Sequence, residues 1–74
     1  MSRSPFLAAV LRQQGVSQGE LVRRTGLSKP TVHDAFLGNE VSPYTMAKIA
    51  IALKIPLSQL DPDAAADLDG LVVR

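Results

Sequence analysis

An all-α fold, a compact bundle of four to five short helices, is what the sequence predicts, on three observations. Apolar residues recur at intervals of three and four in successive short segments, most clearly at Met46, Ile49, Ala50 and Leu53. Most of these segments open on a serine cap and stop at glycine or proline, the punctuation of helix ends. No period-two strand pattern appears before the C-terminal tail. Seventy-four residues predict one domain with a core only marginally sufficient by itself.

The first helix is capped by Ser4, with Pro5 at its first position and Leu7, Val10 and Leu11 on one face, and Gly15 ends it. The second opens at Ser17, where "SQGE" has the form of a capping box: Ser17 reaches forward to the Glu20 amide and Glu20 reaches back. Leu21 and Val22 face inward, Arg23 and Arg24 outward, and Gly26 supplies the left-handed residue that stops it. The third runs from Lys29 to about Leu37 behind the cap Ser28, with Val32, Ala35 and Phe36 turned to the core and Gly38 as terminator. Pro30 locates this start. Inside a helix a proline costs roughly 3 kcal/mol or more, whereas in the first turn its missing N–H has no partner to lose. Ser42-Pro43 repeats the device for the fourth helix, which Ile55-Pro56 breaks, and "PLSQL" is long enough for a fifth, with Leu57 and Leu60 on one face. Residues 1–60 are therefore assigned to the helical domain and 61–74 to an acidic and apolar tail.

The formal net charge of +1 hides an uneven distribution. Residues 1–60 carry seven basic against three acidic residues, a net of +4, and residues 61–74 one against four, a net of −3. A basic body with an acidic tail suits a polyanionic partner for the body, since the field near a surface follows local charge. The absence of cysteine removes disulfides and thiolate metal sites and agrees with a reducing cytoplasm. The N-terminal "MSRSPFLAAVLRQQG" has only a short apolar run broken by Arg12, so neither a signal peptide nor a membrane span is expected.

Between the second and third helices only the turn "TGLS" remains, the signature of a helix-turn-helix that presents its second helix outward. From Val16 to Leu60 the chain resembles the lambda-repressor-like, Cro/C1 (XRE-type) family of DNA-binding regulators, on Ser17, Gln18, Leu21, Gly26, Leu27 and Ser28; with the first helix the resemblance covers residues 5–60. The chain departs from the family pattern at Val22, where alanine is usual, at Gly19 inside a helix, and at Pro56, where the last helix normally has a polar cap.

The resemblance implies that Gln18 contacts a phosphate and buttresses the third helix, whose exposed positions read bases. Those are Lys29, Pro30, Thr31, His33 and Asp34, and helical spacing selects nearly the same set on the face opposite Val32 and Phe36. Lys29 suits guanine O6/N7, Asp34 cytosine N4, and Thr31 and Pro30 a thymine methyl. Asp34 repels phosphate, so its other role is to pair with Lys29 or His33. Candidate phosphate contacts are Gln18, Arg23, Arg24, Ser28, Asn39, Ser42 and Tyr44. The expected partner is a palindromic double-stranded operator bound by a homodimer that acts as a repressor. Leu57, Leu60, Leu68, Leu71, Val72 and Val73 are left over for the dimer contact.

Ser28, His33 and Asp34 contain the letters of a hydrolase triad, but near neighbours on one helix cannot form its relay, so no enzyme is expected. One histidine without thiolates makes no metal site, the phosphate-binding glycine motifs are absent, and no cofactor is expected. The competing class is an antitoxin-type module that neutralises a partner toxin and regulates its own operon, with "DLDGLVVR" as the partner-binding piece.

Overall fold

A computed structural model describes residues 6–66, which form five helices: α1 Leu7–Gln14, α2 Gln18–Thr25, α3 Lys29–Phe36, α4 Pro43–Leu53 and α5 Leu57–Leu60. A further helical segment covers residues 62–66, and no β-strand occurs among the described residues. The all-α bundle expected from the sequence is the fold observed. Ser4 and Pro5 lie outside the described residues, and α1 begins at Leu7 after Phe6.

The serine caps form as the sequence predicts. The hydroxyl oxygens of Ser17, Ser28 and Ser42 accept from the backbone N–H groups of Glu20 (3.1 Å), Thr31 (3.3 Å) and Thr45 (3.1 Å). Only half of the capping box closes, because the Glu20 carboxylate pairs with Arg24 one turn on instead of reaching back to Ser17. The salt bridge neutralises a cation that the free box would leave exposed.

The predicted inward faces meet in one core. Leu7 and Leu11 of α1, Leu21 of α2, Val32 and Ala35 of α3, and Met46, Ile49, Ala50 and Leu53 of α4 are all buried, with Val10, Val22 and Phe36 packed against them. Full burial of a Leu, Ile or Met side chain is worth about 1.5–3 kcal/mol against about 1 kcal/mol for a serine cap. Caps therefore decide where each helix begins, and the apolar faces decide that it persists. Gln14 Nε2 donates to the Leu53 carbonyl at 3.0 Å, so the end of α1 satisfies an otherwise unpaired carbonyl at the end of α4.

Two features differ from expectation. Helix α4 ends without glycine: Lys54 takes the left-handed conformation at φ 59°, and the Ile55 N–H returns to the Ala50 carbonyl at 3.1 Å while the Ile55 side chain packs on the core. That apolar contact holds a strained residue which the sequence did not mark. The stretch assigned to a tail also begins inside the domain. Asp61 is 1% exposed and its Oδ1 accepts from the Ala64 N–H at 3.1 Å, capping the 62–66 segment, and Ala64 is fully buried. Asp61-Pro62 is the same cap-then-proline start seen before α4, obscured in the sequence by the acidic and alanine-rich residues around it.

Candidate nucleic-acid interface

Helix α2 packs on α3 through a turn of three residues, Gly26–Ser28. Gly26 stands at φ 74°, which L side chains rarely adopt, and its N–H bonds to the Val22 carbonyl at 2.9 Å. Thr25 stiffens the turn by donating its hydroxyl to the Leu21 carbonyl (2.7 Å) while accepting from the Leu27 N–H (3.1 Å). The side chain thus does for the turn what a further backbone bond would do, a role invisible in residue spacing. Ser28 then starts α3 and Pro30 occupies its first turn.

With Val32 and Ala35 fully buried, Lys29, Pro30, His33 and Asp34 are exposed on the opposite side and Thr31 is half-buried between the faces. Lys29, Pro30 and His33 line an open cleft with Gln18, Gly19 and Val22 of α2. Val22 and Pro30 are its apolar lining residues, and Gln18, Lys29 and His33 its polar ones. Across it His33 Nδ1 and Gln18 Oε1 are 3.1 Å apart, so Gln18 braces the exposed helix through a hydrogen bond. A Cβ on Gly19 would meet Arg23 Nη1 at 4.0 Å, which places the Arg23 guanidinium beside the start of α2 and next to the cleft. Two cations, Lys29 and Arg23, therefore flank the cleft. Gly19 and Val22 are two of the three positions at which the chain departs from the pattern it resembles, and both line the cleft.

The remaining predicted residues divide. Asp34 does not pair with Lys29 or His33; its carboxylate accepts from Asn39 Nδ2 at 3.3 Å, because the α3 terminus folds back and the Asn39 N–H reaches the Asp34 carbonyl at 2.9 Å. Ser28 and Thr31 share a hydroxyl hydrogen bond of 2.8 Å. Ser42 is half-buried and bonded to Thr45, whereas Tyr44 is 60% exposed in the first turn of α4. Arg24 is held by Glu20. Leu60 is fully buried in the core and is removed from the dimer set, since a side chain already enclosed by its own chain offers no surface to a second copy; Leu57 is half-buried. Leu68, Leu71, Val72 and Val73 lie outside the described residues.

The letters of a hydrolase triad are each engaged elsewhere, Ser28 with Thr31, His33 with Gln18 and Asp34 with Asn39. No group of three or more His, Cys, Asp or Glu among the described residues is placed to hold a metal ion. No helix among them is long and apolar enough to cross a membrane. A sequence model of the helix-turn-helix family matches residues 7–60, the whole of α1 to α5. No curated protein matches the chain.

Proposed function

Since the chain belongs to the Cro/C1-type helix-turn-helix family of DNA-binding regulators, we propose that it is a sequence-specific repressor that binds a palindromic double-stranded operator as a homodimer, with α3 in the major groove. The observation that carries this reading is the two-sidedness of α3: Val32 and Ala35 are fully buried while Lys29, Pro30 and His33 stand exposed at its capped end. A helix held by one face enters a groove about 12 Å wide with that end leading.

Lys29 then donates to guanine O6/N7, and the Pro30 ring and Thr31 methyl take up thymine methyl groups. Arg23, Gln18, Ser28 and Tyr44 contact phosphates and set the register of the helix on the duplex, with Ser42, Asn39 and Arg24 as secondary contacts. Asp34, held by Asn39, turns a negative group toward cytosine N4 rather than toward the backbone. One such helix reads a few base pairs, so specificity requires two half-sites about 34–36 Å apart related by the two-fold axis of the protein. The dimer contact is assigned to Leu57 and to Leu68, Leu71, Val72 and Val73. Such a regulator acts on DNA in the cytoplasm without a cofactor.

Selection of bound sequences from a random duplex pool tests the proposal and returns the half-site and its spacing together. Affinity for the selected site falls steeply with salt as phosphate contacts release counterions. Lys29→Ala relaxes one base position by about 1–3 kcal/mol, while Arg23→Ala weakens all duplexes alike. An affinity unchanged between low and moderate salt refutes the proposal, and capture of a second protein by a chain that binds no duplex favours the antitoxin class.

A further inference from the structure

The hydrogen bond between α2 and α3 couples the Gln18 amide to the tautomer of His33, and the tautomer determines what His33 can recognise. Gln18 Oε1 lies 3.1 Å from His33 Nδ1, and a carbonyl oxygen only accepts, so with the amide turned this way the bond requires the tautomer that carries its proton on Nδ1. A neutral imidazole carries one N–H, and with Nδ1 as donor the other nitrogen, Nε2, is left as an acceptor. His33 is exposed on the outer face of α3 and lines the open cleft, so this second nitrogen is accessible to a ligand. Neither nearby carboxylate competes for the Nδ1 proton: Asp34 next in sequence is engaged by Asn39, and Glu20 on α2 by Arg24. Gln18 is oriented by the same bond. With Oε1 turned to His33, its amide nitrogen presents two donors elsewhere, the polarity that a phosphate oxygen requires.

We propose that His33 reads its base through an acceptor, selecting a base that displays an exocyclic amine in the major groove, adenine N6 or cytosine N4, and that Gln18 is the positioning residue which imposes this polarity. The inference rests on the DNA-binding reading above. It adds a discrimination that residue type does not supply, because a histidine with the other tautomer presents a donor and selects guanine or thymine oxygen.

The tautomer is measurable without DNA. In the full chain labelled with nitrogen-15 and studied at about pH 8, long-range proton–nitrogen correlations assign which ring nitrogen of His33, the only histidine, bears the proton. The expected result is the Nδ1–H form in the wild type, returning in Gln18→Met to the Nε2–H form that free imidazole side chains favour. A wild type in the Nε2–H form means that the Gln18 amide donates instead, and overturns the proposal. The second arm uses the duplex selected from the random pool. At the position relaxed by His33→Ala, the wild type selects adenine or cytosine, and replacing that base with an analogue lacking the amine lowers affinity about tenfold for the wild type and not for His33→Ala. Selection of guanine or thymine there, or no loss with the analogue, refutes the inference while leaving the regulator reading intact. A chain with the Nδ1–H form that binds no duplex at all refutes the regulator reading, and the base preference with it.

Discussion

Asp61 is the residue whose replacement has the least intuitive outcome. It is an aspartate 1% exposed, one of whose oxygens caps the 62–66 segment through the Ala64 N–H at 3.1 Å while the other, Oδ2, is buried without a hydrogen-bond partner. The two oxygens act in opposite senses. A helix cap contributes about 1 kcal/mol, and a buried polar atom left unpaired costs about 1–3 kcal/mol. Asp61→Ser retains an acceptor for the Ala64 N–H and deletes the unpaired oxygen, at the expense of a small void worth about 0.5–1 kcal/mol. The net is a gain of about 0.5–2 kcal/mol, whereas Asp61→Ala also forfeits the cap and comes out near neutral. Urea unfolding followed by circular dichroism measures both variants, with an unchanged slope establishing that the denatured state is not what moved. On heating, a gain of 1 kcal/mol appears as about 4–8 °C in a domain of this size. If Asp61→Ser is destabilised by more than about 1 kcal/mol at constant slope, Oδ2 makes a stabilising contact in solution and the reasoning fails.

Three further outcomes follow from local geometry. Gly19 is helical, and a Cβ there meets only Ser17 Oγ at 3.9 Å and Arg23 Nη1 at 4.0 Å, so Gly19→Ala raises stability by about 0.5–1 kcal/mol; a lowered melting temperature contradicts this. Lys54→Gly relieves the left-handed strain at φ 59° and stabilises the end of α4 by about 1 kcal/mol, checked by the same melts. Truncation after Leu60 removes the buried Asp61 and Ala64 and lowers the melting temperature, while truncation after Ala66 retains both, keeps the helical circular dichroism of the domain and converts the proposed dimer to monomer in sedimentation. An Ala66 truncation with the oligomeric state of the full chain assigns the dimer contact to Leu57 and the folded domain instead.

How much of this was legible in the sequence depends on the range of the interaction. Ser17, Ser28 and Ser42 announce helix starts because a cap is satisfied three residues away, and Met46, Ile49, Ala50 and Leu53 announce a buried face because helical geometry alone brings them together. Pro30 marks the start of the exposed helix for the same reason: its cost is decided within one turn. The fold, the turn between α2 and α3, and the set of residues exposed on α3 are thus local consequences of residue order. Tertiary structure decided the rest. Gln18 and His33 are fifteen positions apart, and their bond exists only because α2 and α3 cross, which neither residue type announces. Asp34 has Lys29 and His33 within reach on its own helix, yet pairs with Asn39 because the chain turns back after Phe36. Leu60 and Asp61 look like surplus apolar surface and acidic tail until the end of the domain folds over them, since burial is a property of what the remainder of the chain places on top of a residue and not of the residue itself.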